Sequence, residues 1–309
     1  MKIHITKIKE SWIIDRIKKE WIENNTNYTQ YPIFSDIIWA IAPWALRKNY
    51  FKKHANKKII GSFYHIEDTS KNSSELELIK SFDRYLSAYH TISKQTKEVI
   101  ESITEKPVYY LPLWVNQDIW YFKENKSELR HQYHFDDSDF LVGSFQRDTE
   151  GHDLISPKLI KGPDIFIQIV KQLYIKKQNL KVVLTGRRRG YIISELEKAK
   201  IPYKYFEMTN FEMMNDLYNV LDLYLITSRL EGGPQALVEC GQVKTPVLST
   251  NVGIASEILH KDSIFDFNDL SSFESVKVNT DHAFKMSSKL TIPTGMIGYK
   301  NMFKEVYEN

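Results

Sequence analysis

One cysteine is all that the 309 residues contain. A single thiol excludes internal disulfides and agrees with a reducing, cytoplasmic compartment. Cys240, beside Glu239, reads as a small buried hydrophobe rather than a nucleophile. An excess of one sign of charge is lacking as well: 42 Lys and Arg stand against 39 Asp and Glu, a formal net charge of +3. That excess is too small to point to nucleic acid. Long apolar runs are missing. IIWAIAPWAL is the longest candidate, is interrupted by Pro43, and is too short to cross a bilayer. The opening MKIHITKIKE has no apolar stretch of the leader type, so no secretory signal is expected. No repeat and no low-complexity tract is evident. What remains is a globular composition, 42% hydrophobic and 26% charged, with length for one large core or two moderate ones.

Short apolar strands alternate with amphipathic stretches, which predicts a parallel α/β sheet. In the first half KIHIT (2–6), DIIWAIAPW (36–44), KKIIGSFYHI (57–66), RYLSAYH (84–90) and PVYYLP (107–112) read as strands. Helices are expected over 9–24, near ALRKNYFKKH, over 73–81, and after Ser93, which is placed to cap KQTKEVIESI. The polar run 123–140 suits a domain junction. FLVGSFQRD (140–148) is a strand with Gly143 and Arg147 towards its carboxyl end. Lys161-Gly162-Pro163 opens a helix. KVVLTG (181–186) is followed by GRRRG, and Arg187–Arg189 read as a solvated loop, the alternative being contact with phosphate, an anionic acceptor or a lipid surface. YKYFEMTN (203–210) is a strand and loop. Asp137 and Asp139 form an Asp-x-Asp string, but it precedes a strand, and no metal is expected there.

The densest stretch is TSRLEGGPQALVECGQVKTPVLSTNVGIASEIL, residues 227–259. A buried strand (220–227) runs into Glu231-Gly232-Gly233-Pro234, and Pro234 is expected to open a helix through about Gln242. A glycine-rich turn before a helix start lets a ligand approach backbone N–H groups in a positive field. Glu231 on the loop and Glu239 in the second turn can both reach a ligand above that helix start. Carboxylates accept hydrogen bonds from vicinal hydroxyls, so a sugar or ribose fits. Taken alone, the pair reads more readily as a capping Glu231 and a solvated Glu239.

In order, Ser228, Glu231-Gly232-Gly233-Pro234, Glu239, Thr245-Pro246-Val247, Asn251-Val252-Gly253 and Glu257 resemble the donor-site signature of retaining GT-B glycosyltransferases, family 4 and its relatives. The resemblance is closest over residues 140–260. It implies two Rossmann-like domains facing a cleft, an α/β fold with the C-terminal helix crossing back to the first domain. The boundaries expected are 1–122 for the acceptor side, 123–290 for the donor side and 291–309 for the returning helix. It implies transfer of a sugar from a UDP- or GDP-sugar to a hydroxyl of a glycan, lipid-linked or small-molecule acceptor, in glycan or polysaccharide synthesis. Neither cofactor nor metal is implied; nucleic acid is not a partner, and peripheral contact with a membrane is left open.

Residue by residue, the resemblance places Glu231 by the transferred sugar and Glu239 by the nucleotide ribose. Arg147 and Lys161 become a diphosphate clamp, with Gly143 and Gly162 beside them; either cation alone would read as a solvated charge. Phe206, Glu207 and Met208 are candidate base contacts, and Ser228, Gly232, Gly233 and Pro234 complete the donor site. His65, at the end of the third strand, is placed near donor sugar or acceptor, the alternative being a surface histidine. ISKQT (92–96) and LPLWVNQDIW (111–120), with Asn116, resemble the family's first-domain turn and crossover. One departure stands out. TKIKESW follows strand one where relatives carry a glycine-rich loop, and the first domain is short. That departure makes a sugar- or nucleotide-binding scaffold without turnover one alternative; a nucleotide-sugar 2-epimerase on the same architecture is the other.

Overall fold

The computed structural model describes residues 1–7, 12–67, 73–270, 273 and 277–309. The chain divides into two units, one of Met1–Trp114 with Ile292–Asn309 and one of Val115–Thr291. Residues 8–11, part of the TKIKESW segment and of the expected first helix, lie outside the described residues.

In the first unit β1 (Ile3–Ile5), β2 (Ile37–Ala40), β3 (Lys58–Phe63), β4 (Ala88–Thr91) and β5 (Val108–Tyr110) form a parallel sheet in that order. They are joined through α1 (Trp12–Asn24), α2 (Lys48–Lys53), α3 (Ser74–Asp83) and α4 (Lys94–Glu101). A steadily advancing order with right-handed crossovers would leave every helix on one face. The packing is different. Ile14, Ile17 and Trp21 of α1 join Ile37, Trp39 and Ile60, whereas Phe51, Leu76, Phe82 and Ile100 of α2–α4 join Ile38, Ala40 and Ile59. Successive strand residues face opposite sides, so α1 covers one face and α2–α4 the other.

A vestigial strand accounts for this. After α1, Tyr28 pairs in parallel with Ile3, whose N–H bonds Asn27 O at 2.8 Å and whose C=O accepts from Thr29 N at 2.9 Å. The spatial order is thus residue 28, β1, β2, β3, β4, β5. This is the doubly wound 2-1-3-4-5 arrangement, extended by one strand and with its second strand reduced to one bridge. The face that α1 half covers is completed by the C-terminal helix, Ile297–Glu308. Its Tyr299, Met302 and Phe303 pack with Trp21, Trp39 and Trp114, and the Phe303 ring lies 5.3 Å from Trp21 and 5.4 Å from Trp39. The expected return of the last helix to the first domain is observed.

The second unit opens with α5 (Lys126–Gln132) and continues β6 (Phe140–Ser144), α6 (Pro163–Lys176), β7 (Leu180–Thr185), α7 (Gly190–Lys198), β8 (Tyr203–Phe206), α8 (Phe211–Val220) and β9 (Leu223–Ile226). Then come α9 (Gln235–Val243), β10 (Val247–Thr250), α10 (Ala255–Ile258), β11 (Ile264–Phe265) and α11 (Thr280–Ser287); the terminal helix of the first unit is α12. All six strands are parallel, in the order β11-β10-β9-β6-β7-β8. Counted from β6 this is 6-5-4-1-2-3, the doubly wound dinucleotide-fold order, and its reversal lies between β6 and β9. Ligands of open parallel sheets bind outside the carboxyl ends of the strands at such a reversal. Among the described residues no helix is long and apolar enough to cross a membrane.

Candidate functional site

Two loops leave the sheet at the reversal, 145–162 after β6 and 227–234 after β9. Each runs into a helix. Gly162 caps α6 in the left-handed region (φ 62°), and Pro163 takes the first helical position. A Cβ on Gly162 would stand 1.8 Å from the carbonyl oxygen of Thr227, so glycine is required on both grounds. Thr227 Oγ1 donates to Gly162 O at 2.8 Å, and Arg229 N donates to Ile160 O at 2.8 Å. Arg229 also grips Asp164 with both terminal nitrogens, at 2.9 and 2.6 Å. The two loops are thereby fixed to one another.

On that frame Lys161 Nζ lies 2.5 Å from Glu231 Oε1, and the two side chains are only 22% and 12% exposed. Ser228 Oγ donates to the same Glu231 oxygen at 2.9 Å. Gln146 Nε2 donates to Lys161 O at 3.0 Å, and Thr250 Oγ1 donates to Ser228 O at 2.6 Å. Lys161, distant in sequence from Ser228 and Glu231, therefore joins them in one charged cluster beside the starts of α6 and α9. Gln146 is part of it and carries no signal in the sequence beyond its place next to Arg147. Arg147 itself is exposed and has no hydrogen-bond or ion-pair partner among the described residues.

Pro234 stands at the cap of α9 rather than inside it, and the helix begins one residue later, at Gln235. Gly253, at φ 56°, meets this turn from the loop after β10, and a Cβ there would lie 2.6 Å from Gly232 O. Glu239 is 2% exposed and accepts a hydrogen bond from Tyr218 at 3.0 Å. Burial and then the Glu239 carboxylate push the Tyr218 phenol far up, so it stays a donor. Burial likewise raises the neighbouring Cys240 thiol, which leaves it an inert hydrophobe.

The other sequence candidates are spread more widely. Gly143 lies within β6, where a Cβ would meet Leu221 at 2.3 Å, so packing against α8's end accounts for it. Phe206 ends β8 with its ring against Tyr133 and Phe135, and Glu207 and Met208 beyond it are exposed. Asn116 Oδ1 accepts from Asp118 N at 3.0 Å. Asp137 and Asp139 point to separate partners, Ser127 and Lys181. His65 lies two residues past β3, in the first unit, 43% exposed and 3.5 Å from Glu67.

The reading of Arg187–Arg189 as a solvated loop is corrected. Arg187 and Arg188 are exposed, but Arg189 is buried at 1% exposure. Its Nε lies 2.8 Å from Asp148 Oδ2, and its Nη atoms donate to Gln146 O, to Thr185 O and to Ser144 Oγ. One guanidinium thus ties the carboxyl ends of β6 and β7 together beneath the site. A buried cation needs a matched anion, and Asp148, 41 positions earlier in the chain, was not recognisable as that partner.

Residues 156–274 match the family model described as glycosyl transferases group 1. The match covers less than half of the chain. Lys161, Gly162, Phe206, Met208, Ser228, Glu231 to Pro234 and Glu239 fall inside the matched segment; Gly143, Arg147 and His65 fall outside it. No curated protein sequence matches the chain. Solved structures do resemble it. Sucrose-phosphate synthase from Thermosynechococcus elongatus aligns with TM-score 0.71 at 12% identity, over 89% of this chain and 74% of that one. HepE from Anabaena, in complex with UDP-glucose, aligns with TM-score 0.71 at 15% identity, over 89% and 79%. A glycosyltransferase from Rickettsia africae aligns with TM-score 0.68 at 14% identity, over 98% and 84%. At these identities the likeness establishes the fold, the α/β GT-B class of two parallel-strand sheets with helices.

Proposed function

We propose that the protein is a glycosyltransferase that moves a sugar from a nucleotide diphosphate donor to an acceptor hydroxyl, with the second unit holding the donor. The observation that carries this reading is the Lys161–Glu231–Ser228 cluster at the strand reversal, inside the group 1 glycosyl transferase segment. The UDP-glucose named in the HepE complex supports a nucleotide-sugar as the ligand class.

In this reading the donor exchanges partners within the cluster. The diphosphate takes Lys161 and Arg147, and Glu231, released from Lys161, accepts hydrogen bonds from the sugar hydroxyls. Glu239, held by the Tyr218 hydroxyl, is the ribose contact. The bond from the anomeric carbon to the phosphate oxygen breaks, and its electron pair leaves with the diphosphate. The growing charge is met by the two cations and the N-terminal dipole of α6. The acceptor oxygen attacks the same face, and its proton passes to the departing phosphate oxygen, so configuration is retained. Trapping a sugar covalently attached to Glu231 would refute this front-face step.

Glu231→Gln and Lys161→Ala are each expected to cut turnover at least tenfold, about 1.4 kcal/mol in barrier. Turnover of several nucleotide sugars, with and without hydroxyl acceptors, is the assay. Unchanged rates in both variants defeat the site assignment. An isomerised nucleotide sugar formed without acceptor would replace transfer by epimerisation.

A further inference from the structure

The first unit carries a pocket of about 340 Å³ lined by Trp44, Phe63, Tyr64, His65, Glu75, Leu78 and Ile79. Trp44 follows β2, and Phe63, Tyr64 and His65 close and follow β3, so the pocket stands at the carboxyl edge of the sheet, where open parallel sheets take ligands. Its walls are three aromatic rings and two aliphatic side chains. Trp44 sits edge-on to Tyr64 at 5.8 Å and lies 6.2 Å from Phe63, and Tyr64 is held by a 2.8 Å hydrogen bond from its hydroxyl to Ile41 O. Trp44 and Leu78 nevertheless remain 40% exposed each. Besides the Trp44 indole N–H and the Tyr64 hydroxyl, which is committed to Ile41 O, polar atoms come from the His65 and Glu75 side chains, and a Glu75 carboxylate oxygen is already engaged by Glu67 N at 2.8 Å.

A cavity of this size suits a small-molecule group, and pockets of this kind are apolar with a few orienting polar atoms. A bare hexose needs hydrogen bonds around its whole rim, which these few polar atoms do not supply. We infer that this pocket seats an alkyl or aryl substituent of the acceptor, so that the acceptor class is a hydroxyl compound with an apolar group rather than a free sugar. The hydroxyl-bearing end lies towards His65, whose ring nitrogen serves as its hydrogen-bond partner. The inference rests on the glycosyltransferase reading for the word acceptor, but the pocket's chemistry stands on its own residues.

The test uses the full chain and calorimetric titration with octyl β-glucoside below its micellar concentration, phenyl β-glucoside and methyl β-glucoside. UDP and GDP are titrated in parallel. The expected result is octyl or phenyl glucoside binding at least tenfold tighter than methyl glucoside, with the octyl–phenyl difference telling chain from ring. Leu78→Asp and Trp44→Ala, both at exposed positions, should each remove at least tenfold of that preference and leave nucleotide affinity unchanged. Equal binding of the three glucosides, absence of binding by all three, or a preference untouched by both variants overturns the inference. Failure of UDP and GDP to bind would count against the glycosyltransferase reading instead, and the glucoside series would still decide the pocket.

Discussion

The two units solve the same folding problem with different resources. Both are parallel sheets whose strand order reverses once, and both are sandwiched by helices. In the second unit the reversal between β6 and β9 is built from polar parts: a left-handed glycine, a buried Arg189–Asp148 pair, and the Lys161–Glu231 cluster. In the first unit the strand beyond the reversal is reduced to Tyr28, and a pocket at the carboxyl edge is lined largely by aromatic rings. A polar site demands particular residues in a particular order, and those residues spell a motif. An aromatic pocket demands only bulk and apolarity, which many sequences satisfy. Motif resemblance is therefore concentrated in one half of the chain.

The contrast can be broken most forcefully at Arg189. Arg189→Met leaves Asp148 buried without its cation and is expected to cost about 3–5 kcal/mol, lowering amide-exchange protection in β6 and β7 while β2 and β3 keep theirs. Equal loss in both sheets would erase the distinction.

Acid should single out the first unit. His90 is fully buried between Ser62 and the Leu111 carbonyl, and burial holds its pKa down at about 4. The folded value lies below the unfolded value, so the unfolded chain binds the proton first. Stability is full above about pH 6.5 and falls as pH drops towards 4, by about 3 kcal/mol in all. Urea titrations at pH 7 and pH 5 measure it, and His90→Gln should flatten the slope.

Gly162→Ala is expected to cost about 2 kcal/mol through the clash with Thr227 and the left-handed backbone, and to lower turnover by shifting Lys161. Loss of stability with full turnover would separate the frame from the cluster it carries. Smallest of all, Ser93→Ala removes the cap that accepts from Thr96 N at 3.2 Å and should cost about 1 kcal/mol, confined to the first unit.

Ser93 also marks how far the sequence can be read. Its cap, the Pro163 helix start and the alternation of strands and helices follow from neighbours within a few residues, and each appears where local chemistry places it. The strand orders do not follow, because nothing near Tyr28 says that a single residue will stand in for a strand. Arg189 looked like its two exposed neighbours because its partner Asp148 is brought to it only by β6–β7 pairing. Gln146 and Tyr218 escaped notice for the same reason: each acquires its role from a residue on another element. The ordered motif singled out Glu231 and Glu239, whereas the ion pair joining Glu231 to Lys161 and the burial of Glu239 against Tyr218 became visible only in three dimensions.

The return of α12 has a consequence for biosynthesis. Residues Val115–Thr291 are uninterrupted, so the ribosome delivers every strand of the second unit before it delivers Tyr299, Met302 and Phe303. Until those last side chains emerge, Trp21, Trp39 and Trp114 lack their cover, and the part of the chain made first is finished last. A nascent chain stalled near residue 290 would present a bare indole-rich surface to chaperones.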